Sequence, residues 1–183
     1  MKKIERLIRL ANRLDSLGMT KAADKIDDMT KIAQLPDLKS IVYIMSIAIS
    51  SEVVLAYKLK KYHWNITGVF FNDLHAFFER EYEKIEDSID AIAERIRALG
   101  HPAPGTLSEF LALSWLKENP QKNLKSEEMV ADLFKNYQTL ASMYRSIVPW
   151  VESSDPVTSN FFADLGFKRD KTMWQLRALL GKL

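Results

Sequence analysis

Residues 61–100 read KYHWNITGVFFNDLHAFFEREYEKIEDSIDAIAERIRALG, and they constrain the architecture more strongly than any other part of the chain. Apolar side chains recur here at intervals of three and four residues, which is the period of an amphipathic helix. This apolar stripe consists of Phe78, Tyr82, Ile85, Ile89, Ile92 and Ile96. Gly100 and Pro102 follow it as a stop signal. The pattern predicts a single helix over residues 72–99.

The same stretch carries side chains of the kinds that bind divalent transition metals, namely two histidines and several carboxylates. If His75 is set to zero and each residue advances by about 100°, Glu79 falls near about 40°, Asp90 near about 60° and Glu94 near about 100°. These four side chains therefore share one helix face, beside the apolar stripe. His63 precedes His75 by twelve residues. The sequence predicts a metal site that draws on all five residues.

The rise of a helix separates these candidate ligands into two pairs. His75 and Asp90 are fifteen residues apart, or about 22 Å along a straight helix. Metal–ligand bonds are about 2.0–2.2 Å long, so one ion cannot reach both pairs in one chain. Either the chain has two poor sites, or two copies run antiparallel across a two-fold axis and form two complete sites. The spacing favours the dimer.

A plain solvated helix face is the competing interpretation, and it is the usual one for charged residues along a long helix. The two histidines, which are aligned with both carboxylate pairs, favour metal binding. Glu83 and Glu86 lie near the same face. They are predicted either to support the ligands or an interface, or to be ordinary solvated charges.

The rest of the chain shows helical periodicity and no strand alternation. Long helices are predicted from Asp37 towards His63, over 126–151 and from Asp155-Pro156 to about residue 181, with Ser126 as an N-cap. A short helix over 108–116 lies in the long connection between the second and third long helices. The predicted fold is all-α, a four-helix bundle over residues 36–183.

Residues 1–35 predict a separate helical hairpin in front of the bundle. They hold eight Lys or Arg against five Asp or Glu, whereas the remaining chain holds eighteen against nineteen. All of the surplus positive charge therefore lies in this appendage. Packing against the bundle or a neighbouring copy, DNA binding, and docking to another protein remain open for it.

Composition excludes several function classes. The chain has no cysteine, so it has no disulfide framework, thiolate metal site or cysteine nucleophile, which fits a cytoplasmic protein. The first residues, MKKIERLIRL, carry charges every few positions and do not resemble a signal peptide. No long apolar run is free of polar groups, so no membrane association is predicted.

The 61–100 stretch resembles the Dps family (DNA-binding protein from starved cells), the mini-ferritins. The matching elements are His63-Trp64-Asn65, Gly68, Phe71, Leu74-His75, Phe78-Glu79, Asp90, Ala93-Glu94-Arg95-Ile96 and Leu99-Gly100. Further on, Lys171, Trp174 and Leu176-Arg177-Ala178 resemble the last helix of that family. The resemblance covers residues 36–183 and implies a ferritin-like bundle. Glu79 is a departure, since many members carry Asp there.

This resemblance implies an iron-storing ferroxidase that forms a hollow dodecamer from two-fold dimers. His63, His75 and Glu79 of one chain and Asp90 and Glu94 of its partner would bind Fe²⁺, which hydrogen peroxide or dioxygen oxidises to Fe³⁺. A metal centre inside one bundle is disfavoured, because no Glu-x-x-His motif occurs in the chain. The resemblance also suggests an acidic iron-entry pore lined by Glu127, Glu128 and Asp132.

Two other functions remain open. One is a nucleoid-associated DNA-binding protein with secondary metal binding. The other is a structural assembly whose metal sites hold zinc, because affinity order alone does not favour Fe²⁺.

Overall fold

The computed structural model describes residues 36–181, and every regular element in that range is helical. The helices are α1 (Leu38–Asn65), α2 (Phe71–Ala98), α3 (Leu107–Leu113), α4 (Ser126–Val151) and α5 (Pro156–Leu179). α1 packs on α2, α4 packs on α5, and the short α3 lies on α1. The predicted all-α bundle with a short helix in its long connection is confirmed. The predicted hairpin at residues 1–35 lies outside the described residues.

Three predicted helix boundaries are confirmed by their caps. Asp37 caps α1, since its Oδ1 accepts from the backbone N–H of Ser40 at 2.8 Å. Asp155 caps α5 in the same way, with Pro156 in the first turn. Gly100 has a φ of 83°, a conformation that glycine adopts without strain, and it ends α2 as predicted.

Two boundaries differ from the prediction. Lys125, not Ser126, is the N-cap of α4, and its backbone N–H donates to Glu128 Oε2 at 2.8 Å. α3 ends at Leu113 rather than residue 116, because the backbone N–H of Trp115 turns away to donate to Ser51 Oγ at 3.0 Å. The buried Trp115 side chain thereby packs into the core outside any helix.

The apolar stripe of α2 faces the core as predicted. Phe78, Ile85, Ile92 and Ile96 are fully buried, and Tyr82 and Ile89 pack at its margin. α1 contributes more buried residues than any other helix of the described chain. Its length and composition would allow it to cross a membrane, but 78% of its most apolar 18-residue window is buried inside the structure, as in the core helix of a bundle.

A polar cluster, which we call the interior cluster, lies within this apolar core. Its members are Glu52 from α1, Glu81 and Ser88 from α2, Tyr137 and Tyr144 from α4, and Arg169 and Thr172 from α5. Arg169 donates from Nε to Glu52 Oε1 at 3.0 Å and from Nη2 to Ser88 Oγ at 2.8 Å. Thr172 donates to Glu81 Oε2 at 2.7 Å. These bonds join the α1–α2 pair to the α4–α5 pair.

Candidate metal centre

His63 and His75 hold each other in a reciprocal lock at the end of α1 and the start of α2. His63 Nδ1 lies 3.0 Å from the carbonyl oxygen of His75, and His75 Nδ1 lies 2.9 Å from the carbonyl oxygen of His63. The two rings stack with centroids 3.7 Å apart. A carbonyl can only accept, so Nδ1 carries a proton in both rings, and in the neutral form of each ring Nε2 keeps its lone pair. Metal-binding histidines commonly have this tautomer, fixed by a hydrogen bond on the other nitrogen.

Two aromatic side chains keep the imidazoles in place. The Phe71 ring stacks on His75 at 4.9 Å between centroids, and Tyr82 meets the edge of His63 at 5.5 Å. His63 is 9% exposed, and His75 is half-buried. The rings are therefore ordered before any metal ion arrives, which reduces the entropy lost on binding.

Glu79 lies one helical turn after His75 on α2 and is linked to the histidine pair through Tyr82, whose ring contacts His63. The Tyr82 hydroxyl donates to Glu79 Oε1 at 3.4 Å, a long hydrogen bond. Burial raises the pKa of the Tyr82 hydroxyl above its usual value, and the negative charge of Glu79 adds to the effect. Tyr82 therefore stays protonated, and its hydroxyl can turn away when Glu79 binds a cation.

Asp90 and Glu94 form the second part of the predicted site, and both are exposed. α2 is continuous from Phe71 to Ala98, so about 22 Å of helix separates His75 from Asp90. Within residues 36–181 no group of three or more His, Asp or Glu side chains is close enough together to hold a metal ion. The structure thus brings His63, His75 and Glu79 into one region and leaves Asp90 and Glu94 in another.

Asp90 lines a groove of about 380 Å³ between α1, α2 and α3. Most of its lining is apolar, and Leu107 of α3, which is 65% exposed, stands at its edge. Lys60 and Glu86 also line the groove and form an ion pair. The Glu86 hydrogen bond raises the pKa of the Lys60 ammonium, which lies over the Tyr82 ring at 5.3 Å. Glu86 therefore has a defined partner and is not simply a solvated charge.

The tryptophans differ sharply in exposure. Trp115 and Trp150 belong to the core, at 3% and 5% exposed. Trp64, next to His63, is 68% exposed, and Trp174 is 57% exposed. Among residues 36–181 most of the Trp64 side chain is left uncovered, so it is available to a neighbouring copy.

Asp132, one of the predicted pore residues, is engaged within the bundle. Its Oδ2 accepts from the Tyr62 hydroxyl at 2.7 Å and pairs with the Lys58 ammonium at 3.1 Å. Burial raises the pKa of Tyr62 above its usual range, and Asp132 contributes to that rise. Glu127 and Glu128 are exposed. Of the three predicted pore residues, these two face solvent, and Glu128 also accepts from the backbone N–H of Lys125 in the cap of α4.

Sequence reasoning missed the interior cluster altogether. One oxygen of Glu52 accepts from both Tyr144 and Arg169, and burial raises the pKa of the Tyr144 hydroxyl well above its usual value. The periodicity of α1 placed position 52 on a helix, but nothing in the local pattern indicated that a carboxylate there meets a guanidinium on α5. The buried position of Arg169 can be recognised only after the helices are assembled.

Residues 44–183 match the ferritin-like domain family. The chain is 33% identical over 132 residues to the DNA protection during starvation protein of Helicobacter pylori, with 72% of this chain and 92% of that protein covered. The structure is similar to Dps from Staphylococcus aureus, with a TM-score of 0.75 and 28% identity over 78% of this chain and 95% of that one. It is also similar to Dps from Listeria innocua soaked with cobalt, with a TM-score of 0.75 and 26% identity over 78% and 92% of the two chains.

Proposed function

The chain belongs to the Dps family of ferritin-like proteins, and we propose that it is an iron-sequestering ferroxidase. Membership of this family supports iron binding and protection from damage in general terms. The proposal is more specific: Fe²⁺ is oxidised by hydrogen peroxide, or by dioxygen, at sites shared between two subunits. The ferric product is stored as mineral inside a hollow cytoplasmic homo-oligomer, a dodecamer built from two-fold dimers.

The reciprocal lock between His63 and His75 is the observation that carries this proposal. In the neutral rings it leaves two Nε2 lone pairs on adjacent, ordered imidazoles, with Glu79 one helical turn further along α2. Imidazole nitrogen favours a transition metal such as Fe²⁺ over Mg²⁺ or Ca²⁺. Carboxylates from the partner would neutralise the charge of the ion.

We propose that the partner supplies Asp90 and Glu94. Antiparallel pairing of two α2 helices about a two-fold axis brings the carboxylate pair of each chain to the histidine pair of the other. The apolar groove beside Asp90 supports this arrangement, because a second copy would cover it and the exposed Leu107. Each dimer then has two complete sites.

Iron is the substrate in this reaction, and the protein's residues bind and orient it. Two Fe²⁺ ions each give one electron to hydrogen peroxide, which takes up two protons and leaves as two waters. The carboxylates favour the product, because Fe³⁺ carries one more positive charge than Fe²⁺ and attracts them more strongly. The reaction consumes ferrous iron and peroxide together, and so removes both reactants of hydroxyl-radical formation.

Stopped-flow measurement of Fe²⁺ oxidation by peroxide tests this proposal. His75→Ala combined with Glu94→Gln should slow oxidation by at least about 100-fold, since loss of the groups that merely support a metal ligand already costs about 10–100-fold. Asp87→Asn is the matched control, because Asp87 is an exposed carboxylate on the same helix. Oxidation by the double variant at the wild-type rate would refute the ferroxidase assignment.

Zinc is a possible surrogate for iron at this site, since mixed imidazole and carboxylate ligands do not select Fe²⁺ by affinity. A purely structural assembly with zinc in its sites would bind the metal and show no peroxide-dependent turnover. The same stopped-flow experiment therefore separates a structural metal site from a ferroxidase.

DNA binding is a second candidate function, favoured by the surplus positive charge of residues 1–35. Several copies of this appendage on one oligomer could bind DNA together even if each contact is weak. Such binding should weaken steeply with salt. A gel-shift titration with and without residues 1–35 tests it, and the absence of any shift at low salt would exclude this function.

A further inference from the structure

A cavity of about 710 Å³, which we call the connection cavity, lies between α4 and the segment that follows α3. Residues 115–121 form one wall, and α4 forms the other with residues from Asp132 to Thr139. Lys58 of α1 also lines it. None of the proposed iron ligands lines this cavity. The connection cavity is therefore separate from the candidate metal centre.

Lys58 brings a buried ammonium group to this cavity. The residue is 6% exposed, and its Nζ lies 3.1 Å from both Asn136 Oδ1 and Asp132 Oδ2. Burial lowers the pKa of the Lys58 ammonium even though Asp132 acts in the opposite direction. Asp132 also accepts from Tyr62, so its charge is shared. One carboxylate thus does not offset the desolvation of this cation.

Besides the Lys58 ammonium, the indole N–H of Trp115 is a buried donor at this cavity. The residue is 3% exposed and lines the cavity, and its indole N–H has no acceptor among residues 36–181. A buried donor without an acceptor costs about 1–3 kcal/mol, so an oxyanion whose oxygen reaches the indole N–H from the cavity would be stabilised. The ring is anchored by its own backbone, because the N–H of residue 115 donates to Ser51 Oγ.

The charges around the cavity favour an anion. Lys58, Lys117 and Lys135 line it, against two carboxylates, Glu118 and Asp132. Lys117 and Lys135 are exposed, so their ammonium groups can move towards a ligand. The donors come from α1, the connecting segment and α4. Donors on several sides suit a tetrahedral oxyanion better than a planar carboxylate, whose two oxygens lie in one plane.

We propose that the connection cavity binds a small tetrahedral oxyanion, with inorganic phosphate as its physiological example. Lys58 and the Trp115 indole would donate to it from the inner side, and Lys117 and Lys135 would close over it from the rim. This site does not depend on iron, on the partner subunit or on the proposed ferroxidase reaction.

Calorimetric titration of the intact oligomer with sodium phosphate, at constant ionic strength and free of iron, tests the proposal. Saturable binding is expected in the millimolar range or below, with competition by sulfate and none by acetate. Trp115→Phe keeps the packing and removes one donor to a charged ligand, so it should weaken binding by roughly tenfold. Lys58→Met should weaken it at least as much.

Lys122→Met is the matched control, since Lys122 lies just beyond this segment and does not line the cavity. It should bind phosphate as the wild type does. The proposal is wrong if the wild type shows no saturable binding through the millimolar range. It is equally wrong if Trp115→Phe, with its helical content intact, binds phosphate with unchanged affinity.

Discussion

The interior cluster and the reciprocal lock between His63 and His75 both use polar side chains of α1 and α2, but only the interior cluster also draws on α4 and α5. In the interior cluster, Glu52, Glu81 and Arg169 find their main partners within one chain and are buried. At the reciprocal lock, the hydrogen bonds within residues 36–181 engage Nδ1 of each ring, and the matching carboxylates lie about 22 Å along α2. Within residues 36–181 the first arrangement lacks a partner only for Glu52 Oε2. The second provides ligands that one chain cannot bring together.

The comparison separates stability from function. A buried ion pair that is complete in one chain contributes to folding and to the alignment of the helices, although such pairs often add little net stability. Metal ligands that one chain leaves incomplete need a partner before they can act, so their main contribution is to function. Variants of the two regions should therefore have opposite effects on unfolding and on iron oxidation.

The largest effect on stability is expected for Arg169→Met. It leaves Glu52 charged and buried without its cation, which should lower the free energy of unfolding by about 3–5 kcal/mol. Urea unfolding at fixed protein concentration measures this. The double variant Glu52→Gln with Arg169→Met removes both charges and should recover part of the loss. A change below about 1 kcal/mol in the single variant would show that the pair is unimportant for folding.

Leu107→Glu should impair the shared metal site indirectly, by preventing assembly of the oligomer. A carboxylate at the edge of the groove would be buried against the second copy, so the oligomer should dissociate while each chain keeps its helices. Iron oxidation should fall by about the same 100-fold as in the ligand variant, because the partner's carboxylates are lost. Native mass and stopped-flow rates measure both effects.

Ser108→Glu is the control for this variant, since it adds the same charge to the same short helix at an exposed position outside the groove. It should leave the native mass and the oxidation rate unchanged. A monomeric Leu107→Glu variant that oxidises iron at the wild-type rate would contradict the shared site.

Asp155→Asn should have the smallest effect. Burial acts to raise the pKa of the Asp155 carboxyl, but hydrogen bonds from Thr158 and Arg95 outweigh it and hold that pKa below its usual value. A lowered pKa stabilises the fold above the unfolded-state pKa, and this stabilisation is lost as the pH falls through the folded-state value. The free energy of unfolding of the wild type should therefore exceed that of the variant by about 0.5–1 kcal/mol at neutral pH.

That advantage should disappear as the pH falls from about 5 to below about 3, since the usual pKa of an aspartate is about 3.9. Urea unfolding of both proteins across this range measures it. A constant difference at every pH would mean that the cap acts through shape alone and not through charge.

Local sequence features predicted most of the fold. Asp37, Asp155-Pro156 and Gly100 act over one helical turn, so their caps and stops could be identified without tertiary information. The end of α3 could not be identified in this way, because it depends on a hydrogen bond between Trp115 and Ser51, which are 64 residues apart in the sequence. Arg169 and Glu52 are 117 residues apart, and helical periodicity carries no information about such pairs.

The candidate site was predictable only in its residue types and spacing. The helix period placed His75, Glu79, Asp90 and Glu94 on one face, and the rise separated them into two pairs. The reciprocal hydrogen bonds that fix the tautomers of His63 and His75 depend on the turn between α1 and α2, which spacing alone does not define. The assignment of all five residues to one metal centre remains a prediction.

Mixed assembly tests the central claim that each site is made from two chains. His75→Ala subunits and Glu94→Gln subunits, each inactive alone, are unfolded together in equal amounts and refolded. In a mixed dimer one site draws His75 from one chain and Glu94 from the other, so about one quarter of all sites should be intact and about one quarter of the wild-type oxidation rate should return. If each site lay within one chain, no mixture could contain an intact site. Recovery no greater than that of either variant alone would contradict the account.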